Sequence, residues 1–275
     1  MKILLFGGRG FMGQQFLSLY PDAVAPSVDI ADGPTVARVL DAEKPDIVIN
    51  AAGKTGVPNV DWCEDHKLET IHSNVTGPFV LLEECGKRGI YWVHLSSGCV
   101  YLGDNNGKGF SEDDPPNFGG SFYSRTKAWS EAVLREFPVL ILRLRMPFDK
   151  APAPRNLLNK LKEYTHILDA QNSITYLPDF LTAAQHLIAK RRTGIYNMVN
   201  KGSITPYHIM ELYREIVDPS HTFERLDLKD LPGRVKAGRS TCVLTTRKLE
   251  GEGIAVRPIE DAVREALEIF KASQK

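Results

Sequence analysis

The sequence lacks the features that mark three common classes of protein. Its four cysteines lie far apart and form no Cys-x-x-Cys pair, which argues against a zinc site and against a disulfide scaffold. Lys plus Arg and Asp plus Glu both number 34, so no excess of positive charge favours nucleic acid or an anionic membrane. No apolar run approaches the roughly 20 residues of a membrane-spanning helix. We therefore expect a protein that holds no metal and binds neither nucleic acid nor membrane.

The amino terminus begins like a secretory signal peptide, with Lys2 followed by an apolar run. Glycines at positions 7, 8 and 10 interrupt that run too early for the apolar core of such a peptide. Because the cysteines also show no disulfide pattern, we expect a protein of the reducing cytoplasm.

Strand and helix patterns alternate through the first half of the chain. The predicted strands are apolar runs bounded by turn residues, and they cover residues 3–6, 46–50, 91–95 and 139–144. The predicted helices between them cover residues 11–19, 36–40, about 59–85 with a bend near Gly77-Pro78, and 123–136. This alternation predicts an α/β fold, a Rossmann-type doubly wound parallel sheet.

Beyond Pro147 the pattern loosens, which predicts a smaller C-terminal subdomain. We predict that residues 1–147 form a cofactor-binding domain and that residues 172–192 return to it. Residues 148–171 and 193–275 then form a substrate-binding subdomain. Within it, Thr205-Pro206 predicts the start of a helix, and the apolar spacing after Ile259 predicts an amphipathic closing helix.

Three glycines follow the first predicted strand in the spacing GxxGxxG. Gly7 permits a tight turn, Gly10 lets the backbone approach a pyrophosphate, and Gly13 allows close packing of helix on sheet. The start of the next helix supplies amide donors and partial positive charge for the phosphates. The pattern therefore predicts a dinucleotide site. Its further predicted contacts lie in the same loop and in the small-residue turn after residue 50, namely Phe11, Met12, Ala51, Ala52 and Gly53.

The choice of cofactor depends on an acidic residue that is missing. Sites for NAD usually carry an acid at the end of the second strand, but residues 23–27 contain none. Arg9 lies in the glycine loop, where its guanidinium can reach a 2′-phosphate, although it can equally be a solvated loop charge. We therefore predict NADPH and leave NADH possible. Asp29 and Ile30 are expected to edge the adenine pocket, with Asp29 on the ribose as the alternative.

A tyrosine and a lysine at positions i and i+4 form a candidate catalytic pair. Tyr123 and Lys127 lie on one face of a predicted helix, and a phenol of pKa near 10 needs a neighbouring cation to act at neutral pH. Ser97 lies 26 residues earlier, directly after a predicted strand, where ligands of parallel sheets bind. Its hydroxyl can bind a substrate oxygen beside Tyr123. An exposed Tyr–Lys pair without function is the alternative interpretation.

The glycine loop, Ser97 and the Tyr123–Lys127 pair follow one another along the chain. In this order they resemble the motifs of the extended branch of the short-chain dehydrogenase/reductase superfamily. A closer resemblance is to the plant-type nucleotide-rhamnose synthase, an epimerase-reductase, and a more distant one is to dTDP-4-dehydrorhamnose reductase. The segments that carry it are Asn50-Ala-Ala-Gly, Val60-Asp-Trp-Cys-Glu, Gly120-Ser-Phe-Tyr-Ser, Arg143-Leu-Arg-Met-Pro and Gly194-Ile-Tyr-Asn.

The resemblance implies a reaction. A UDP- or dTDP-linked 4-keto-6-deoxyglucose is epimerised at carbons 3 and 5, and NADPH then reduces the carbon-4 ketone to give the β-L-rhamnose nucleotide. It also implies that Ser97 polarises the ketone, Tyr123 donates the proton and Lys127 activates Tyr123. The identity of the nucleobase in the sugar nucleotide stays open. Uracil and thymine differ by one methyl group, which is worth only about 1 kcal/mol of discrimination.

The epimerase step needs an acid and a base of its own. By resemblance, these are Cys99 and Lys160, and which of them removes the proton stays open. Cys99 as a small buried apolar residue and Lys160 as a solvated helix charge are the alternatives. Without either role the chain would be a 4-keto sugar-nucleotide reductase that lacks epimerase activity.

Several polar residues are candidates for the sugar nucleotide. Thr55 and Asn59 can contact the hexose, and Arg155, Asn156 and Arg239 the pyrophosphate and base. The family pattern also implies a homodimer through helices that include residues 123–136. A non-catalytic NADP-binding regulatory subunit is a further alternative, which the complete Ser–Tyr–Lys set disfavours.

Overall fold

The computed structural model describes residues 1–231 and 233–272, and a parallel sheet forms its centre. The strands are β1 (Ile3–Phe6), β2 (Ile47–Asn50), β3 (Tyr91–Ser97), β4 (Leu140–Leu144), β5 (His166–Leu168), β6 (Gly194–Asn197) and β7 (Glu224–Leu226). The α-helices are α1 (Phe11–Leu19), α2 (Gly33–Glu43), α3 (Trp62–Asp65), α4 (Lys67–Ile71), α5 (Gly77–Lys87), α6 (Phe122–Leu134), α7 (Leu157–Lys162), α8 (Leu177–Ala189), α9 (Pro206–Ile216), α10 (Arg247–Gly251) and α11 (Ile259–Ala272).

The main sheet has five strands in the order β1-β2-β3-β4-β6, and every neighbouring pair is parallel. All residues of β1 to β4 are buried, because helices cover both faces of the sheet. On one face the strands pack against α1 and α8, through Phe16 and Phe180. On the other face they pack against α2 and α5, through Leu40 and Leu81. The predicted Rossmann-type doubly wound sheet is confirmed.

At the edge of the sheet formed by β1, the only further pairing among the described residues is a single β-bridge between Leu4 and Val24. The Val24 amide donates to the Ile3 carbonyl (2.9 Å), and the Leu5 amide donates to the Val24 carbonyl (2.8 Å). Pro26 has no amide hydrogen with which to continue this pairing. Residues 23–27, where the sequence suggests the end of a second strand, therefore contribute only one bridge.

The helical region predicted at residues 59–85 is divided into several pieces. It consists of α3, α4, a π-helical turn at His72–Thr76, and α5. The predicted bend at Gly77-Pro78 coincides with the junction of the π turn and α5. A Cβ added to Gly77 would lie 2.5 Å from the Ile30 side chain, so the junction packs closely on the segment after β1. Such π turns often occur at functional sites.

A second hydrophobic core lies outside the main sheet and joins α7, α9 and α11. Thr205 caps α9 by accepting a hydrogen bond from the His208 amide (3.0 Å), as the Thr-Pro pair predicts. The closing helix α11 buries Ile259, Val263 and Phe270 on one face, as its periodicity predicts. The small parallel pair of β5 and β7, next to this core, was not predicted from the sequence.

One segment of the predicted domain division is wrong. Gly194–Asn197 is expected in the smaller subdomain, but this segment forms β6 at the edge of the main sheet, paired with β4. It follows α8, which covers the sheet. The strands β4 and β6 are therefore joined by a parallel crossover that includes α8. The remaining division stays a prediction, with residues 1–147 and 172–192 on one side and 148–171 and the rest of 193–275 on the other.

No helix among the described residues is long and apolar enough to cross a membrane. The longest of them, α11, has 14 residues, whereas a span needs about 20. The cytoplasmic location stays a prediction.

A buried ion pair joins β4 to α6. Arg143 is fully buried and donates from Nε and Nη2 to the two carboxylate oxygens of Glu131, at 3.0 and 2.7 Å. Ser96 in β3 donates its hydroxyl to the same carboxylate at 2.8 Å. Because α6 also carries Tyr123, this pair fixes the helix against the strands whose ends form the site.

We predict that Arg143→Met lowers the free energy of unfolding by about 3–5 kcal/mol, since the substitution leaves the Glu131 carboxylate buried without its partner. Urea unfolding of both proteins measures the difference. The matched control is Arg264→Met, whose guanidinium pairs with Glu260 and Glu215 at the surface and should cost less than about 1 kcal/mol. Equal losses in the two variants would show that the buried pair does not stabilise the fold.

Candidate active site

The glycine loop between β1 and α1 has the close packing that a dinucleotide site requires. Gly7 has φ +81°, and a Cβ added to it would lie 2.4 Å from the Ala52 backbone nitrogen. A Cβ at Gly13 would lie 2.1 Å from the Gly7 carbonyl oxygen. Gly10 precedes α1, and within the described part of the chain no side chain caps this helix start. The amides of the first turn can therefore bind a phosphate, so the residues present fit a dinucleotide.

The residues predicted to edge the adenine and ribose have unequal access to a ligand. Arg9 is exposed, whereas the Ile30 side chain is buried under Gly77 and leaves only its backbone for contact. Asp29 accepts hydrogen bonds from the Ala31 amide (2.9 Å) and from His72 Nε2 (2.7 Å). These two bonds, the backbone one first, hold the pKa of the Asp29 carboxyl below its usual range. His72 was not predicted, because it lies 43 residues away in the π turn.

The remaining predicted cofactor residues surround the loop. Phe11, Met12, Ala51 and Ala52 are half-buried, and Gly53 is exposed. Asn74 in the π turn holds the segment after Gly53, because its side chain accepts from the Lys54 amide (2.7 Å) and donates to the Lys54 carbonyl (2.9 Å). It also donates to the Thr126 hydroxyl of α6 at 3.3 Å. One asparagine thus ties the end of β2 to the helix that carries Tyr123.

The predicted Ser–Tyr–Lys set comes together at the carboxyl end of β3. Ser97 is the last residue of that strand, and Tyr123 and Lys127 lie on α6, whose start Ser121 caps by accepting from the Ser124 amide (3.0 Å). All three side chains are buried. The Lys127 ammonium donates to the Leu95 carbonyl at 2.9 Å.

Burial and nearby groups act on the pKa of Tyr123 in opposite directions. Burial raises the pKa of the Tyr123 phenol, and a hydrogen bond with Ser97 and the positive charge of Arg145 oppose that rise. Burial also lowers the pKa of Lys127 to about 8. The role of Lys127 as the cation that favours the phenolate stays a prediction, and its ammonium donates to the Leu95 carbonyl.

A cleft of about 560 Å³ opens between the main sheet and the second core. This volume lies within the range of small-molecule sites. Tyr123 and Cys99 line it from the sheet side, and Lys160 of α7 lines it from the other. The other polar residues of its wall include Asn59, Asp61, Ser121, Ser124, Arg145, Tyr164, His166, Asn172, Arg234, Arg239 and Ser240.

The two residues predicted for epimerisation both lie on this cleft. Cys99 is half-buried, whereas Cys63, Cys85 and Cys242 are buried. Burial, assisted by the charge of Arg155, lowers the pKa of the Lys160 ammonium, which brings the amine closer to proton exchange at neutral pH. Arg145, which was not singled out from the sequence, donates from Nη1 to Cys99 Sγ at 2.9 Å.

Four of the five predicted substrate residues are placed where a ligand can reach them. Asn59 lines the cleft, and Thr55 and Arg155 are exposed and joined by a 2.7 Å hydrogen bond from Arg155 Nη1 to the Thr55 hydroxyl. Arg239 also lines the cleft but is held by Asp61, at 2.7 and 3.1 Å to the two carboxylate oxygens. This pairing lowers the pKa of the Asp61 carboxyl.

The prediction for Asn156 is wrong. Its side chain is 0% exposed and caps α7 by accepting from the Leu158 amide (3.1 Å). Its amide nitrogen donates to the Asp149 and Ala151 carbonyls, at 2.7 and 2.8 Å. The residue therefore fixes the loop before α7 and has no polar atom free for a nucleotide. An asparagine directly before a predicted helix is itself an N-cap signal that identifies this role.

Known proteins are similar to this chain over most of its length. A model of the family described as RmlD substrate binding domain matches residues 1–272. The chain is 37% identical over 241 residues to the bifunctional dTDP-4-dehydrorhamnose 3,5-epimerase/dTDP-4-dehydrorhamnose reductase of Arabidopsis thaliana, a match that covers 85% of this chain and 80% of that protein. It is 38% identical over 264 residues to a trifunctional UDP-glucose 4,6-dehydratase/UDP-4-keto-6-deoxy-D-glucose 3,5-epimerase/UDP-4-keto-L-rhamnose-reductase of the same plant. The chain spans only 39% of that longer protein.

Two solved structures share the fold over nearly their whole length. The L780 UDP-rhamnose synthase of Acanthamoeba polyphaga mimivirus superposes with a TM-score of 0.92 at 31% identity, over 98% of this chain and 99% of that one. The dTDP-4-dehydrorhamnose reductase of Bacillus anthracis, solved in complex with NADP, superposes with a TM-score of 0.82 over 99% and 100% of the two chains. At 20% identity, the second likeness shows the fold alone.

Proposed function

The chain belongs to the family of the RmlD substrate binding domain, and on that premise we propose that it is an NADPH-dependent reductase of 4-keto-6-deoxy sugar nucleotides that also epimerises carbons 3 and 5. The observation that carries the proposal is the shared cleft, on which Tyr123, Cys99 and Lys160 all lie. The names of the plant relatives join an epimerase and a reductase activity, which supports the bifunctional form. The same names include both UDP and dTDP sugars, so the proposed substrate is either nucleotide.

In the proposed reduction, the ketone oxygen at carbon 4 lies between the hydroxyls of Ser97 and Tyr123. A nicotinamide, when bound, supplies the hydride. Tyr123 donates its proton to the oxygen as negative charge develops there, and Ser97 stabilises that charge by a hydrogen bond. We propose that Lys127, whose ammonium donates to the Leu95 carbonyl, holds the nicotinamide ribose and favours the phenolate that Tyr123 becomes.

The proposed preference for NADPH is supported by charge around the glycine loop. Arg9 is exposed in the loop, and residues 23–27 offer no acidic side chain. Asp29, the next acid after that segment, is already paired with His72 at 2.7 Å. A 2′-phosphate would thus meet a guanidinium, whereas a ribose hydroxyl would find its usual acceptor engaged.

In the proposed epimerisation, one of Cys99 and Lys160 removes a proton from carbon 3 or carbon 5. The electrons of the broken carbon–hydrogen bond move to the carbon-4 oxygen, where Ser97 and Tyr123 stabilise the enolate. The other residue returns a proton to the opposite face, and the electrons move back from oxygen to carbon. The step is a net isomerisation without an oxidant or reductant, and exchange with solvent restores the two protonation states.

We predict that Tyr123→Phe lowers kcat/KM for NADPH oxidation with UDP-4-keto-6-deoxyglucose by about 100-fold or more, because the ketone oxygen loses its proton donor. The change in absorbance of NADPH measures the rate. Tyr164→Phe, on the same cleft but half exposed, is the matched control and should stay within about threefold of the wild type.

Two results would contradict the proposed reductase. One is a Tyr123→Phe variant that oxidises NADPH as fast as the control. The other is a wild-type protein that uses NADH better than NADPH, which would remove the proposed role of Arg9.

We predict that Cys99→Ala and Lys160→Met each lower rhamnose formation from UDP-4-keto-6-deoxyglucose by about 100-fold, because inversion needs both an acid and a base. With a 4-keto-rhamnose nucleotide that is already epimerised, the loss should stay below about tenfold, because the Ser–Tyr–Lys set is intact. Chromatography of the nucleotide products measures both. Equal losses on the two substrates would contradict the proposed epimerase activity. A wild type that makes no rhamnose nucleotide without a separate epimerase would contradict it as well, and the chain would then be a reductase only.

We also propose that two copies of the chain pair through α6. Trp129, Val133 and Phe137 lie at intervals of four residues along the helix and its end, and all three are exposed. A stripe of exposed apolar residues is typical of an interface. We predict that Trp129→Glu converts a dimer into a monomer in sedimentation velocity runs. A wild type that sediments as a monomer at micromolar concentration would contradict the pairing.

A further inference from the structure

A buried guanidinium lies at the wall of the cleft, next to the thiol proposed for epimerisation. Arg145 directly follows β4, and its residue is only 3% exposed although it lines the cleft. The register between β3 and β4 pairs Ser97 with Leu144, so the segments that follow the two strands leave the sheet side by side. Cys99 and Arg145, in those two segments, are thereby brought into contact.

The contacts of Arg145 hold its side chain in one place. Nη1 donates to Cys99 Sγ at 2.9 Å, and Nη2 donates to Asn172 Oδ1 and to the Ser240 carbonyl. The backbone is fixed as well, because the Arg145 amide donates to the Thr175 hydroxyl at 3.0 Å. The guanidinium is therefore held against the sulfur by Asn172 and Ser240, which lie on two other segments of the chain.

The charge of Arg145 has no acidic partner. Within residues 1–231 and 233–272, no carboxylate forms an ion pair with it, and its Nε has no hydrogen-bond partner. Arg143, two residues earlier and also buried, is by contrast matched by both oxygens of Glu131. A buried cation without a counter-ion is destabilising, and a negative charge that forms beside it offsets that cost.

We propose that Arg145 is a positioning residue for epimerisation, which stabilises negative charge on the Cys99 sulfur during proton transfer; this inference rests on the proposed function. If Cys99 is the acid, its proton passes to the sugar carbon and the electrons of the S–H bond stay on sulfur. If Cys99 is the base, its thiolate takes the proton of the carbon–hydrogen bond and those electrons pass to the carbon-4 oxygen. In both directions the anionic state of the sulfur faces the guanidinium.

The first test measures the reactivity of Cys99 without any substrate. Cys99 is half-buried and the other three cysteines are buried, so iodoacetamide followed by peptide mass spectrometry reports Cys99 selectively. At one fixed pH, Arg145→Gln should slow alkylation by about tenfold or more, because Gln keeps N–H donors but removes the charge. Arg145→Lys should recover most of the wild-type rate. Unchanged alkylation in Arg145→Gln would overturn the proposal.

The second test follows proton exchange at the sugar. In D₂O without NADPH, wild-type protein should exchange the protons at carbons 3 and 5 of UDP-4-keto-6-deoxyglucose for deuterons. Arg145→Gln should exchange them at least about tenfold more slowly, and Arg145→Lys should restore the exchange. Exchange by Arg145→Gln at the wild-type rate would overturn the role of Arg145.

The two tests separate the inference from the proposed function. A wild type that exchanges neither proton would refute the epimerase function, whereas the alkylation rates would still decide whether Arg145 activates Cys99. Should Arg145→Gln fail to fold, Asn172→Ala tests the same contact, because it frees the guanidinium without removing its charge. Alkylation of Cys99 in Asn172→Ala should be slower than in the wild type. An unchanged rate would overturn the proposal.

Discussion

The site depends on the parallel pairing of β3 with β4, whose register places Ser97 beside Leu144 at one edge of the sheet. Strands that run in the same direction end at the same edge, so the residues that follow them meet there. Cys99 follows β3, Arg145 follows β4, and α6 packs behind both strands with Tyr123 at its first turn. The Arg143–Glu131 pair joins β4 to that helix within the buried layer. Ser97, Tyr123 and Cys99, the residues of the proposed chemistry on this side of the cleft, therefore share one edge because one pair of strands brings them there.

The second core completes this arrangement. Lys160 lies on α7, outside the main sheet, and faces the cleft from the side opposite Tyr123 and Cys99. Inversion of a carbon centre requires proton donors and acceptors on two faces of the sugar, which one sheet edge alone does not supply. Asn156, buried at the start of α7, fixes the loop that positions Lys160. The smaller subdomain is thus part of the proposed chemistry as well as of substrate binding.

Local patterns were enough to predict the sheet, the glycine loop and the Ser–Tyr–Lys set, because each rests on short-range spacing in the chain. Gly7 and Gly13, for example, have the roles that their spacing predicts. Contacts between distant segments were not accessible in this way. Arg145 meets Cys99 across 46 residues and Arg239 meets Asp61 across 178, and no local periodicity encodes either pairing.

Errors arose where one residue type serves two purposes. Asn156 is such a residue, because an asparagine is a candidate ligand for a nucleotide, whereas the same side chain directly before a helix caps it. The segment that forms β6 has only four residues, too short an apolar run to distinguish a strand from a loop, so its place in the main sheet is not predictable from local pattern.

The most direct measurement of the central claim is a crystal structure of the protein with NADP⁺ and UDP-L-rhamnose. We expect the hexose ring to lie in the cleft with its carbon-4 oxygen between Ser97 and Tyr123. We also expect Cys99 Sγ and Lys160 Nζ to lie on opposite faces of the ring, each within about 3.5 Å of carbon 3 or carbon 5. A ring bound with both groups on the same face, or with either of them turned away from the sugar, would contradict the claim.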